Sequence, residues 1–349
     1  MATRRFSRAV SLLTAATLSV SAIALIPGTG VADPGLSIEK VQAQVDRLYE
    51  EAEAATEKAH DATVQVEQGQ QRLAQIDRQV ATEQKELDRL SEIIADYAAE
   101  MYASGGIDPS LQMMLSSNPD DFLSQAQTLD QVLRTQDADL RRAETARVAL
   151  AQTKALADQQ VDRLKDLKAE AAKQKAAANA NLDEAQALLS RLKAKDRARL
   201  AALQAQRASA SADASRSALR DAPAPTSYGS ASSGRGATAA SYARAQVGKP
   251  YVFGGSGPSV FDCSGLTMTA WAQAGVYLPH SASMQYGATT RVSSLQPGDL
   301  VFFYSDISHV GIYVGGGIFV HAANPTDGVV AESLYSSYWQ SVYMGAGRV

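Results

Sequence analysis

From Ile38 to Val80, apolar and small residues recur at alternating steps of three and four, through Val41, Val45, Leu48, Ala52, Ala55, Ala59, Ala62, Val66, Gly69, Leu73 and Ile76. Glu83 interrupts the stripe, and Leu87, Leu90, Ile94, Tyr97 and Met101 resume it in the same register. A mean period of 3.5 residues is a coiled-coil seam and predicts one helix, roughly 95 Å long at the usual helical rise. No globular core can be built from such a stretch alone, so it must find a partner helix. Alanine dominates the middle of the seam, which permits close approach at some loss of buried area.

The run Ala103-Ser104-Gly105-Gly106-Ile107-Asp108-Pro109 stops this helix. A second helical tract is expected from about Pro119 to Ala208. Its seam is weaker, running through Ala157, Val161, Leu164, Ala171, Ala178, Leu182, Ala185, Leu189, Leu192 and Leu203, with Lys168, Lys175 and Asp196 at seam positions. Two long helices around one break predict an antiparallel hairpin over 37–208; spacing alone leaves an intermolecular coiled coil open. Ile107, Leu111, Met113, Met114, Leu115, Phe122 and Leu123 crowd the break. They are either a cap packed on itself or a docking surface, for which methionine is well suited. Ser, Ala, Gly and Pro dominate 209–235, which is expected to be a flexible linker.

Composition separates the rest sharply. Residues 37–208 hold 52 charged side chains among 172, and residues 236–349 hold 9 among 114. Both tryptophans, Trp271 and Trp339, fall in the second region. The first is a solvated helical object, while the second has the composition of one modest core. Ahead of both, Arg4, Arg5 and Arg8 precede an uncharged apolar run from Ala9 to Ile26 and the small residues Gly30-Val31-Ala32. That order reads as an export signal over 1–32, with cleavage after Ala32. Loss of the three arginines moves the formal charge from −4 to −7, and nothing in the charge pattern fits a nucleic-acid partner.

Cys263, in Val260-Phe261-Asp262-Cys263-Ser264-Gly265-Leu266-Thr267, is the only cysteine of the 349 residues. It stands where a helix is expected to begin, over about 263–274. Free N–H groups and the helix dipole there favour a thiolate and can hold an oxyanion. Strands are expected over 309–314 and 318–322, flanking Gly315-Gly316-Gly317. If Val314 pairs with Ile318, Gly311 lies opposite His321, and His309 and His321 share one sheet face. A thiol, an imidazole and a second polar group to orient it are the parts of nucleophilic catalysis. A metal site from Cys263, His309 and His321 would lack an evident fourth ligand, so no metal and no cofactor is expected. His60 reads as a solvated helix residue. His280 reads as either a cleft residue or an exposed loop residue.

The stretches "PYVFGG", "FDCSGLT", "LQPGDLVFF", "SHVGIYVGGG" and "FVHAA" occur in the order in which the NlpC/P60 family of cell-wall peptidases carries them, and 236–349 resembles that family. The resemblance implies an α+β, papain-like domain with the cysteine on a helix and the histidine on an antiparallel sheet. It implies that Cys263 is the nucleophile, His309 the base and His321 the residue orienting it. It also implies that Tyr251 assists the oxyanion, and that Asp262 and Ser264 line the substrate cleft. The whole layout is similar to actinobacterial peptidoglycan endopeptidases of the RipC type and to the coiled-coil cell-separation hydrolases of streptococci. That similarity implies a secreted enzyme acting in the cell-wall space on stem peptides, at the D-glutamyl–meso-diaminopimelate bond. It further implies that the coiled coil docks on the extracellular part of the FtsE–FtsX division complex, which relieves autoinhibition. The expectation is that the hairpin masks the cleft. A wall-binding or division-scaffold protein that holds stem peptide without cutting it is the reading of another class.

Overall fold

The structure, a computed structural model, describes residues 38–103, 119–222 and 231–349. The expected export signal, the glycine break with Met113 and Met114, and the centre of the expected linker lie outside these residues; so do the side chains of Phe122 and Leu123. The described residues divide into two compact units, one drawn from 65–169 and the other from 38–64 and 170–349.

Helix α1 spans Ile38–Ala103 and α2 spans Pro119–Arg191. Within 65–169 the two run antiparallel in one chain. The Tyr97 hydroxyl donates to Asp139 Oδ2 (3.0 Å), Lys154 Nζ to Gln84 Oε1 (3.0 Å), and Gln160 Nε2 to the Gly69 carbonyl (3.1 Å). Gly69 is a point of close approach: a Cβ placed there would lie 2.7 Å from Leu164 Cδ2. The expected hairpin is therefore present. The expected first seam is buried at Leu90 and Val66 and half-buried at Leu73, Ile76 and Val80. In the second helix Leu164 is buried as expected, but Val161 is exposed.

The other unit holds the start of α1, the end of α2, and everything after it. Val41, Val45 and Leu48 pack on Ala185 and Leu188. A break at Leu192-Lys193 separates α2 from α3, Ala194–Asp221, and shifts the phase. Leu189 and Leu192 pack half-buried beside Leu188 as expected, but past the break Leu200 is buried where Leu203 was expected. The chain stays helical from Ser209 to Asp221, the first part of the expected linker. The reason is visible in the packing. The Ser215 hydroxyl accepts from Ala331 N (2.9 Å) and donates to Ala331 O (3.1 Å), closing the backbone groups of an edge strand.

The C-terminal domain is α+β. Its elements are α4 (Ala231–Ala245), α5 (Cys263–Gln273), α6 (Ala282–Ala288), β1 (Thr290–Val292), β2 (Leu300–Phe303), β3 (His309–Gly315), β4 (Ile318–Asn324), β5 (Gly328–Ser333), α7 (Ser337–Val342) and β6 (Tyr343–Arg348). The sheet runs β1-β6-β2-β3-β4-β5, and its strand pairs are antiparallel. Strands β2 and β3 are buried along their whole length because helices cover one face and the Trp339 cluster the other. Ile312 pairs with Val320 and Tyr313 with Phe319, a register that places Gly311 opposite His321 as expected. At the turn the pairing slips by one, so Gly315 and not Val314 faces Ile318. Gly315, Gly316 and Gly317 all take positive φ (100°, 63° and 77°), a turn that side chains with a Cβ resist.

Candidate active site

Asp262 caps α5, its Oδ1 accepting from Gly265 N at 2.6 Å. Cys263 is therefore the first helical residue, with the positive end of the helix behind its sulfur. It is fully buried. Across from it, β3 and β4 present His309 and His321, whose Nε2 and Nδ1 lie 2.8 Å apart. The sulfur and a nitrogen of His309 approach within 4.8 Å. The three residues singled out in the sequence thus meet. Tyr251, buried beside Phe253 at 5.0 Å between ring centres, lines the same pocket, and Asp262 and Ser264 flank the thiol.

A fourth member was not evident from sequence. Glu332 on β5 receives His321 Nε2 at 3.0 Å and Trp339 Nε1 at 2.6 Å, both on Oε2. A carboxylate only accepts, so His321 donates from Nε2 and its Nδ1 must accept. His309 then donates from Nε2, which leaves His309 Nδ1 as the lone pair facing the thiol side. Burial opposes ionisation of Glu332, but the hydrogen bonds from His321 and from the indole N–H of Trp339 outweigh it and hold the carboxyl below its ordinary range. Burial pushes His321 the other way, keeping it neutral below its ordinary value despite Glu332. The indole of Trp339 stacks on His309 at 5.7 Å and 16°, so both rings of the relay are held by one side chain.

The thiol is not free. Glu53 and Glu57, on α1, enter the same pocket. Glu53 Oε1 sits 2.9 Å from His309 Nδ1, on the atom that would meet the thiol. Glu57 Oε1 lies 3.4 Å from Cys263 Sγ and accepts from the Ser264 hydroxyl at 2.6 Å; its Oε2 accepts from Ala282 N at 2.6 Å. One turn on, Asp61 accepts from the Ser283 hydroxyl (2.7 and 2.8 Å) and from that of Ser281. The three carboxylates stand at i, i+4 and i+8 on a helix face away from the seam, and that face is buried at Glu53 and Glu57. Like charges at this spacing oppose an isolated helix, and their run was the available sequence signal.

These contacts reverse one expectation. The helix terminus was expected to lower the Cys263 pKa. Burial pushes it well up instead, and the charges of Glu57, Glu53 and Asp262 add to that. Burial likewise raises Glu53, because a carboxylate out of water resists ionisation, and this outweighs the opposing charge and hydrogen bond of His309. The two remaining histidines of the chain are also here. His60 is not a solvated helix residue. Its ring lies 4.0 Å from that of His280, and His280 Nε2 contacts both Asp262 oxygens at 2.9 and 3.0 Å. Beside His309 a cavity of about 440 Å³ remains, bounded by Tyr251, Glu53, Tyr304, Glu332 and Trp339. Among the described residues, two groups bring three metal-binding atoms within 4.8 Å: Glu53 with Cys263 and His309, and His60 with Asp262 and His280.

A thiol at a helix N-terminus facing an imidazole relay on an antiparallel sheet defines a class of α+β domain arranged for nucleophilic chemistry. Comparison with known proteins says which one. Residues 248–348 match the NlpC/P60 family, and the C-terminal part of this chain is an NlpC/P60 domain. The probable endopeptidase p60 of Listeria monocytogenes is 48% identical over 111 residues, which are 31% of this chain and 22% of that protein. The probable endopeptidase Rv2190c of Mycobacterium tuberculosis is 55% identical over 80 residues, 22% of this chain and 21% of that protein. The chain thus spans about a fifth of the length of these relatives. Among solved structures, the NlpC/p60 domain of peptidoglycan hydrolase SagA is 34% identical, covering 33% of this chain and 98% of that one, with a TM-score of 0.29.

Proposed function

We propose that this chain is a secreted cysteine endopeptidase of peptidoglycan stem peptides, kept closed by its own first helix. The observation that carries the reading is the file Cys263–His309–His321–Glu332 with Glu53 lodged on His309 Nδ1. With α1 withdrawn, His309 Nδ1 takes the thiol proton. The thiolate attacks the amide carbonyl, and the α5 N-terminus and Tyr251 face the developing oxyanion. The imidazolium, oriented by His321, returns the proton to the leaving amine, and water then clears the thioester. Asp262 and Ser264 line the groove for the acyl side of the peptide. The names of the relatives support the substrate class, and the D-glutamyl–meso-diaminopimelate bond is the bond proposed. The FtsE–FtsX complex is the proposed partner that draws the coiled coil away.

Muropeptide digestion read by mass spectrometry tests this directly. The full chain carrying Glu53→Ala and Glu57→Ala is expected to release new fragments, whose masses name the bond, while the same chain with Cys263→Ala releases none. Retained binding with no fragments from any variant would favour the wall-binding scaffold instead.

A further inference from the structure

His60 reaches from α1 to the cleft wall at a point the relay does not use. Its Nδ1 is buried and has no hydrogen-bond partner; the nearest carboxylate, Glu57 Oε1, stands 3.8 Å away. Against it lie the imidazole of His280 and the Asp262 carboxylate, with one donor atom from each of the three residues inside a 4.8 Å span. Two imidazoles, a carboxylate and a second carboxylate at the edge are the donor set that a tetrahedral zinc ion takes, with bonds of about 2.0–2.2 Å. His280 Nε2 and Asp262 now meet directly at 2.9 Å, and parting by about half an ångström would give them the spacing of two such ligands. The orphaned nitrogen of His60 is what an ion would complete.

The geometry points to a Zn²⁺ site formed by His60, His280 and Asp262, with Glu57 as the fourth donor, that pins α1 in the cleft. The site exists only while α1 is seated, because His60 and Glu57 come from the helix and the other two ligands from the domain. Zinc that binds the closed form alone lowers the open fraction by the ratio of its concentration to its dissociation constant, about 100-fold at one hundred times that constant. The inference rests on the seating of α1 and not on the cleavage reaction.

The test uses the full chain with Cys263→Ala, which removes the thiol of the neighbouring group and all turnover. Titration with zinc chloride by calorimetry is expected to show one ion per chain. His60→Ala, which suits a helix, and His280→Ala are each expected to weaken it at least about 10-fold. Hydrogen exchange of residues 50–64 is expected to slow with zinc in the parent and not in His60→Ala. No binding, or binding equally tight without His60, would overturn the site. Binding with unaltered exchange would overturn the pinning. None of these readouts depends on whether stem peptide is the substrate.

Discussion

At the residue scale, the chemistry of the site is set by who donates to whom. Glu332 can only accept, and that one constraint passes through His321 to fix which nitrogen of His309 is free. Glu332→Gln keeps the size of the side chain but can present an N–H to His321, so the relay loses its single tautomer. In a chain freed of its plug we expect kcat to fall roughly 10²-fold with little change in KM, and the pH profile of kcat to move. An unchanged profile would reduce Glu332 to packing. His321 supplies a second prediction. Its folded pKa lies below the ordinary value of 6.5, so below that pH the unfolded chain binds a proton that the folded one refuses. Stability is therefore full above that value and declines on acidification. The melting temperature of the Cys263→Ala chain, followed by tryptophan fluorescence, should drop as pH falls below 6.5, less steeply with His321→Asn. Cys263, His309 and His321 were legible in the sequence because each lies in a short motif with a local signature. Glu332 was not, because its role depends on β5 pairing beside β4, with His321 opposite Val330. Glu57 was not, because 206 residues separate it from the thiol.

At the element scale, α1 does two jobs with two faces. One is the seam that was visible as a heptad. The other carries Glu53, Glu57 and Asp61, and it is buried only because the cleft receives it. Each buried charge-assisted hydrogen bond contributes about 1.5–3 kcal/mol. Removing Glu53 and Glu57 together should raise muropeptide turnover of the full chain at least about 10-fold; no rise would mean that other contacts keep the helix in place. Where the second seam misled, the cause is local: Lys168, Lys175 and Asp196 dilute the pattern, and the break at Leu192-Lys193 resets it. Alanine- and serine-rich sequence past Ser209 resembled a linker, yet alanine is also the best helix former. Helix α3 persists there because Ser215 satisfies the edge of β5. Ser215→Ala should cost about 1 kcal/mol and speed amide exchange at Ala331.

At the scale of the whole molecule, the C-terminal domain needs more than its motifs. Ala239, Ala240 and Ala243 of α4 are fully buried, and a Cβ on Gly236 would meet the Pro297 carbonyl at 2.5 Å. Helix α4 is therefore part of the core, and a separated domain that begins at Ala231 keeps the helix whole. Residues 231–349 alone are expected to cut muropeptides faster than the full chain, measured side by side at equal concentration. Among the described residues no helix is long and apolar enough to cross a membrane. The order of the chain also has a consequence in time. A ribosome completes Glu53–Asp61 about two hundred residues before Cys263, so the stopper is made before the bottle it closes. The cleft finds its tethered occupant waiting as it folds, at an effective concentration that dilution cannot lower. On the proposed reading such a chain is born shut, and the cell that makes it need never meet the open form before the moment of release.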